Sequence, residues 1–350
     1  MKYHVIGLMS GSSLDGLDIA YCRFTRDNDD WNFTILAEAC VEYPNQWITK
    51  LRSAPQLSGL SLHELDASYA ELISGMVKDF IEQENITKVD LVALHGHTVF
   101  HYPDKMVSLQ IGNGGIISAK LNLPVVTDLR SSDVALGGQG TPMVAISDLL
   151  LFKEYQVLIN IGGIANMTVK GESIVSFDVC VANQVLNLLA KEKGLDYDHD
   201  GGMASKGKIN VDLMEQLNQI EFFQKRLPRS LDNSFTNLSL MPILNSFDIS
   251  TEDKLATFCE HIVFQIEQQL KKFKIDSDSK ILISGGGALN KHLIGKFSYQ
   301  VSVGDQMLIE FKEAVATAFS GLLRFLGEVN FLAQSSGADR NSCNGAIHNA

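Results

Sequence analysis

Residues 5–24 read VIGLMSGSSLDGLDIAYCRF. An apolar run from Val5 to Met9 meets a turn of small hydroxyl residues. Asp15 and Asp18 follow, and then a second alternating apolar run. The pattern is that of two strands joined by a turn. A tight turn requires Gly or Asn where φ is positive. Ser10, Ser12, Ser13, Asp15 and Asp18 together exceed that requirement. Gly11 and Gly16 allow close backbone approach, and a loop rich in N–H and hydroxyl groups can wrap phosphate oxygens. Asp15 or Asp18 suits Mg²⁺, directly or through water, because hard cations prefer oxygen ligands. A polar hairpin turn with an aspartate cap is the alternative. The stretch is not a P-loop, since G-x-x-x-x-G-K-[ST] occurs nowhere. It is not a dinucleotide fingerprint either, since a strand rather than a helix follows.

The pattern returns. VLINIGGIANMTVK, from Val157, is again a strand, a Gly-containing polar turn and a returning strand. Each half later carries a buried apolar run ending in small polar residues: LVALHGHT from Leu91 and ILISGGGALN from Ile281. Further short apolar runs, PVVTDL and SYQVSVG, read as strands. Between them lie helical patterns. Leu62, Leu65, Tyr69, Leu72, Met76 and Phe80 share one face, with Ser61 and Glu64 as a capping box. Leu255, Phe258, Ile262, Ile266 and Leu270 share another, with Ser250 and Asp253 as the box. A last helix spans about residues 311–325. Its apolar face is Val315, Phe319, Leu322 and Leu326. Its small face, Ala314, Ala318 and Gly321, invites another backbone to approach. Hairpins followed by βα alternation give an α/β fold of mixed sheets flanked by helices. Two similar halves imply two lobes with a cleft.

Composition sets the outer limits. The chain has 350 residues, 45% hydrophobic and 20% charged, with a net charge of −12. That balance opposes nonspecific binding to nucleic acid or anionic membranes, which call for basic patches. Anionic small ligands need only local positive potential. Five cysteines, with no C-x-x-C pair, suit a reducing cytoplasm. No signal peptide or membrane span is legible.

Other polar clusters offer chemistry with plain structural alternatives. Gly162 and Gly163 could clamp phosphates from the second half, or form an ordinary turn. Gly285, Gly286 and Gly287 leave room for a flat ring, or for tight strand-to-helix packing. HGHTVFHYP gathers His95, His97 and His101, with His95 and His97 on one face if they share a strand. Contacts to a sugar or structural histidines fit better than a metal site, for which no accompanying ligand pattern exists. Asp128, Arg130 and Asp133 follow a strand end, where open α/β sheets host ligands. Arg130 suits a carboxylate, or a surface salt bridge. Asp178 ends an apolar strand before a helix, as a general base or, on context-free grounds, a helix cap.

Taken together these segments resemble the anhydro-N-acetylmuramic acid kinases, within the actin-like ATPase and sugar kinase superfamily. The resemblance is collinear and rests on GLMSGSSLDGLD, HGHTVFHYP, SLQIG, VVTDLRSSDVALGGQGTP, NIGGIANMT, Phe177–Asp178, GLDYDHDGGMASKG, ISGGGALN and EAVATAFSGLL. It implies a two-lobed, ribonuclease H-like fold with duplicated sheets. One lobe would hold residues 1–135 with about 328–350, the other residues 136–327. It implies ATP and Mg²⁺, a cytoplasmic enzyme, a homodimer, and an amino sugar from recycled cell wall whose anhydro ring is hydrolysed and whose O6 is phosphorylated. Asp178 would be the base acting on water. Gly11, Ser12, Ser13, Leu14, Asp15, Gly16, Leu17 and Asp18 would hold the ATP phosphates, with Asp15 toward Mg²⁺. Gly162 and Gly163 would assist, and Gly285–Gly287 would border adenosine. His95, His97, Arg130 and Glu313 would contact the sugar.

The departures concentrate after the base. The family's FDTGPGN is here Phe177-Asp178-Val179-Cys180-Val181-Ala182-Asn183, its HGQT is His95-Gly96-His97-Thr98, and its Gly-Thr-Ser is Gly11-Ser12-Ser13. Loss of a hydroxyl, two glycines and a proline beside Asp178 bears on the sugar more than on ATP. A same-fold kinase for another amino sugar or anhydrosugar, and a nucleotide-binding sensor without turnover, are the competing expectations.

Overall fold

The computed structural model describes residues 1–349 except 12, 13, 29, 228, 230 and 232–234. The chain divides into two units. The first comprises Met1–Lys153 with Phe311–Ala350, and the second comprises Glu154–Glu310. These crossings differ from the boundaries expected at 135/136 and 327/328. The helix Ala145–Leu151 and most of the helix Gln306–Phe325 belong with the first unit.

The first unit is built on β1 (Lys2–Ser10), β2 (Gly16–Asp27), β3 (Asp30–Glu42) and β4 (Leu91–Leu94). A two-stranded ribbon, β5 (His97–Tyr102) and β6 (Val107–Ile111), stands apart, and β7 (Val125–Thr127) returns to the sheet. The second unit contributes β8 (Val157–Ile161), β9 (Ile164–Lys170), β10 (Ile174–Val181), β11 (Ile281–Ser284) and β12 (Val301–Val303). A last strand, β13 (Ala346–His348), seals the β7 edge of the first sheet.

The duplication read from the sequence is real. The first sheet runs β3-β2-β1-β4-β7 and the second β10-β9-β8-β11-β12. In each, the first three strands run antiparallel to their neighbours and the last two run parallel to the central one. This is the doubled mixed sheet of an actin-like, ribonuclease H-like fold. The central strands β1 and β8 are near-continuous apolar runs because both of their faces are covered. Val5, Ile6 and Leu8 are fully buried, as are Val157, Ile159 and Ile161.

Helix signals resolve well, with shifted starts. The helix Gly59–Gln83 buries Leu65, Tyr69, Ile73, Met76, Val77 and Phe80. Its cap is Ser58, whose hydroxyl accepts from the Ser61 N–H, rather than Ser61 itself. The helix Thr251–Lys272 starts as expected, with the Ser250 hydroxyl accepting from the Asp253 N–H. The last helix begins at Gln306, five residues before the expected start.

The small face of that last helix explains Gly7. A Cβ on Gly7 would lie 2.1 Å from the Ala314 carbonyl oxygen and 2.8 Å from the Ala318 Cβ. One on Gly321 would lie 2.3 Å from the Ala93 Cβ of β4. Helix backbone therefore sits directly on the centre of the first sheet. Gly7→Ala is expected to cost about 1–3 kcal/mol, because backbone cannot move aside as a side chain would. Thermal denaturation of the purified variant reads this, and an unchanged midpoint would refute the contact.

Candidate active site

Each unit gathers its own set of polar residues. In the first, the β1–β2 turn is held at both flanks by one residue. The Tyr43 N–H donates to the Asp15 carbonyl at 3.3 Å. The Tyr43 hydroxyl donates to Ser10 Oγ at 3.0 Å and meets the Tyr69 hydroxyl at 2.6 Å. Burial pushes the Tyr43 phenol up to about 12, so this network stays neutral. Leu14 takes a positive φ of 61° and buries its side chain with Leu17 in the core. These two leucines therefore offer a ligand only their backbone. Gly16 packs against β3, where a Cβ would come 2.7 Å from the Val41 carbonyl oxygen. Asp15 is exposed and Asp18 half-buried. Both carboxylates help raise the Cys40 thiol to about 12, behind burial as the main cause, so both lie close to it. Ser12 and Ser13 fall outside the described residues.

The histidines divide. His95 and His97 do not share a strand, because β4 ends at Leu94 and Gly96 turns the chain with φ 80°. His97 faces the core, its ring 6.5 Å from Tyr69 with the Leu51 carbonyl as partner. His95 is buried and its Nδ1 meets the Gly96 carbonyl at 2.8 Å. Burial, and then the charge of Arg130, lower His95 to about 3, so it is a neutral imidazole. His95 Nε2, His97 Nδ1 and Arg130 Nε are buried without a hydrogen-bond partner among the described residues. Such atoms are costly unless a ligand or water completes them.

Arg130 lies near His95, His101 and Glu313 in the same unit, since each pair perturbs the other electrostatically. Burial lowers the Arg130 guanidinium to about 10, against the pull of Glu313. Glu313 reaches solvent, yet the protein crowded around it raises its carboxyl, against Arg130 and Lys312. The neighbouring GGQG loop is wrapped around Asp133. Asp133 Oδ2 accepts from the Gly140 N–H at 2.8 Å and Oδ1 from the Ser336 hydroxyl at 2.6 Å. A Cβ on Gly138 would fall 2.2 Å from Asp133 Oδ2. Asp133 is thus a loop organiser. Among the described residues no group of three or more His, Cys, Asp or Glu side chains could hold a metal ion.

The second unit assembles the other turn. The Gly162 and Gly163 carbonyls accept the N–H groups of Ala182, Asn183 and Gln184, which open the helix Asn183–Lys191. Asn183 Nδ2 donates to the Ile161 carbonyl at 3.2 Å. The three glycines after β11 have separate reasons. Gly285 has φ 79°, and its Cβ would fall 2.3 Å from Asn160 Oδ1. A Cβ on Gly287 would strike Ile161 Cγ2 at 2.2 Å. Gly286 alone faces open space, with Asn183 Nδ2 3.7 Å from its would-be Cβ. The first and third serve packing, and the middle one leaves room for a flat group.

Asp178 is not a helix cap, since the helix opens at Asn183 behind Ala182. It stands on β10 opposite Asn166, where the register slips at Val179. Its Oδ2 accepts from the Leu231 N–H at 2.8 Å. Burial raises its carboxyl above the usual range, partly offset by that N–H and by Arg229. The departing residues Val179, Cys180, Val181 and Ala182 are all buried in the core of this unit. The second unit also shapes GLDYDHDGGMASKG: buried Asp198 accepts from the Met203 and Ala204 N–H groups. Arg229 itself gave no sequence signal, because its partners are main-chain carbonyls, which any residue type supplies.

The profile of the anhydro-N-acetylmuramic acid kinase family matches residues 3–350. An anhydro-N-acetylmuramic acid kinase of Sulfurimonas denitrificans is 31% identical, covering 99% of this chain and all of the relative. One from Vibrio cholerae is 32% identical, covering 98% of this chain and 97% of the relative. Among solved structures, an activator of a 2-hydroxyisocaproyl-CoA dehydratase from Clostridium difficile aligns over 91% of this chain with a TM-score of 0.43 and 14% identity. By full-length profile match and by identity to such relatives, the chain belongs to the anhydro-N-acetylmuramic acid kinase family.

Proposed function

We propose that this chain uses ATP to convert 1,6-anhydro-N-acetylmuramic acid and water into N-acetylmuramic acid 6-phosphate and ADP, in the recycling of cell-wall sugar. The observation that carries the reading is Asp178, a carboxyl with raised affinity for a proton, fixed on a bulge in a chain of this family. Asp178 takes a proton from water as the water oxygen bonds to the anomeric carbon. The C1–O6 bond breaks, and the freed O6 accepts the γ-phosphoryl group. Phosphoryl transfer asks mainly for positioning and charge neutralisation. Backbone N–H groups of the β1–β2 turn, with the Gly162–Gly163 turn, suit the phosphates, and Gly286 leaves space for adenosine. Asp15 and Asp18 would hold Mg²⁺, which needs only one or two carboxylates beside phosphate oxygens and water. Its chemistry is to neutralise charge on the phosphates.

His95, Arg130 and Glu313 suit the sugar: a neutral imidazole, a cation for the lactyl carboxylate and an acceptor for hydroxyls. His97 faces Tyr69 and supports that wall from behind. The buried departures after Asp178 support retention of the family's sugar, because their side chains fill the core. No helix among the described residues is long and apolar enough to cross a membrane. The same reading makes the working form a cytoplasmic homodimer, which light scattering on the purified protein would test.

The decisive experiment is turnover of ATP with the anhydro sugar in ¹⁸O-labelled water. Label at C1 of a 6-phosphate product is expected. A phosphorylated product without added water would favour a kinase for another sugar, and ATP binding without any turnover would favour a sensor. Arg130→Met is expected to raise the sugar KM roughly ten- to hundredfold, the worth of a hydrogen bond to a charged group, with the ATP KM unchanged. An equal rise in both constants would remove Arg130 from the sugar site.

A further inference from the structure

Arg229, in the segment 222–231, gives the hydrogen bonds of its fork to main-chain carbonyls among the described residues. Arg229 is buried. Its Nη1 donates to the Phe222 and Phe223 carbonyls at 3.1 and 3.0 Å. Its Nη2 donates to the Val179 carbonyl at 3.2 Å and its Nε to the Asp178 carbonyl at 3.3 Å. The guanidinium carbon lies 4.5 Å from the Phe222 ring centroid and 5.8 Å from that of Phe223. Backbone bonds close the same junction. The Asp178 N–H donates to the Arg229 carbonyl at 2.9 Å, and the Leu231 N–H reaches Asp178 Oδ2 at 2.8 Å.

From this junction we infer that Arg229 is a positioning residue for the base: its fork clamps the β10 bulge that aims Asp178, and its guanidinium sets a positive charge beside that carboxyl.

The inference rests on Asp178 being the base. A bulge leaves backbone groups without ladder partners and re-aims a side chain. Here the freed carbonyls of Asp178 and Val179 are taken by one planar, five-donor group, a geometry that an ammonium cannot copy. Among the described residues, the other groups around Asp178 do not supply the charge. On its own strand, the Cys180 thiol is pushed up to about 12 by burial and is neutral. Opposite on β9 stands Asn166, which does not titrate. From the helix Thr251–Lys272, His261 packs its ring 5.2 Å from Phe223 and is lowered to about 3 by burial, so it is neutral too. Arg229 is the cation whose charge opposes the effect of burial on Asp178. The sign follows. Removing that cation leaves burial less opposed, and Asp178 binds its proton at higher pH.

The test compares kcat against pH for the wild type, Arg229→Met, Arg229→Lys and Asp178→Asn, with the intact chain and saturating ATP. Arg229→Met should lower plateau kcat roughly ten- to hundredfold, the loss expected for charge-assisted hydrogen bonds. Its acid limb should move to higher pH while the ATP KM holds. Arg229→Lys keeps the charge and loses the fork, so kcat should fall with the acid limb in place. A purely structural arginine would lower the active fraction of both variants without moving either limb. If Arg229→Met does not fold, kcat per ATP-binding site in the lysine variant decides: a fall supports the clamp, and the wild-type value overturns the proposal. An inactive Asp178→Asn beside an unmoved acid limb in Arg229→Met sinks the role of Arg229 only. A fully active Asp178→Asn sinks the assignment of the base itself.

Discussion

Asp178→Asn is expected to lower turnover by about 10²–10⁴-fold, the usual contribution of a positioned general base. ATP affinity should be unchanged, because nothing else at the β10 bulge is altered. The amide is close to isosteric, and its oxygen still accepts from the Leu231 N–H, so the fold is spared. The wild-type pH profile carries a companion signature. Asp178 acts only as a carboxylate, and burial raises its pKa above 3.8. Activity should therefore decline, as pH is lowered, at a higher pH than for an exposed aspartate. Steady-state kinetics, with nucleotide binding measured by calorimetry, check both. Turnover within tenfold of wild type would remove the base.

Lys312→Met should give the largest loss of stability. Lys312 Nζ lies 2.9 Å from Asp148 Oδ1, with the two side chains 6% and 1% exposed. The lysine also stands 5.5 Å from the Phe152 ring centroid. Removing one partner strands a buried charge, at a cost of about 3–5 kcal/mol. Asp148→Leu added to Lys312→Met should recover much of this, since apolar replacement of a whole buried pair is often neutral or better. Denaturant unfolding of both variants reads the difference. A single variant as stable as the wild type would mean that water reaches the pair. Because Lys312 precedes Glu313, the single variant should also weaken sugar binding, and the double variant should restore it.

Much of this architecture was legible in residues 5–24 and their echo at Val157. An apolar run, a small polar turn and a returning apolar run survive as pattern even when identities do not. The small face Ala314, Ala318 and Gly321 was legible as well, because only close backbone contact explains small residues at helical spacing. Strand β3 was missed because its alternation, WNFTILAEACVE, mixes polar and apolar residues on a half-covered edge. The ribbon β5–β6 was missed for a related reason: Gly96 ends one strand and opens another, so His95 and His97 looked collinear. In the site, residue types spoke and partners did not. Asp178 could be singled out, but not separated from a helix cap, because its Leu231 contact lies 53 positions away. Asp133 had no assigned role in the sequence, because its partners are the backbone of the GGQG loop and Ser336, 203 positions away.

The packing of the last helix on Gly7 has a consequence for synthesis. Gly7 and its cover at Ala314 and Ala318 are about 300 residues apart. At ribosomal rates of about 5–20 residues per second, β1 waits roughly 15–60 s for that cover. The second unit is one continuous stretch, Glu154–Glu310, and it emerges complete in the interval. The second unit is therefore the first able to finish folding, while the opening stretch of the first keeps an apolar sheet face open to chaperones until translation nears its end.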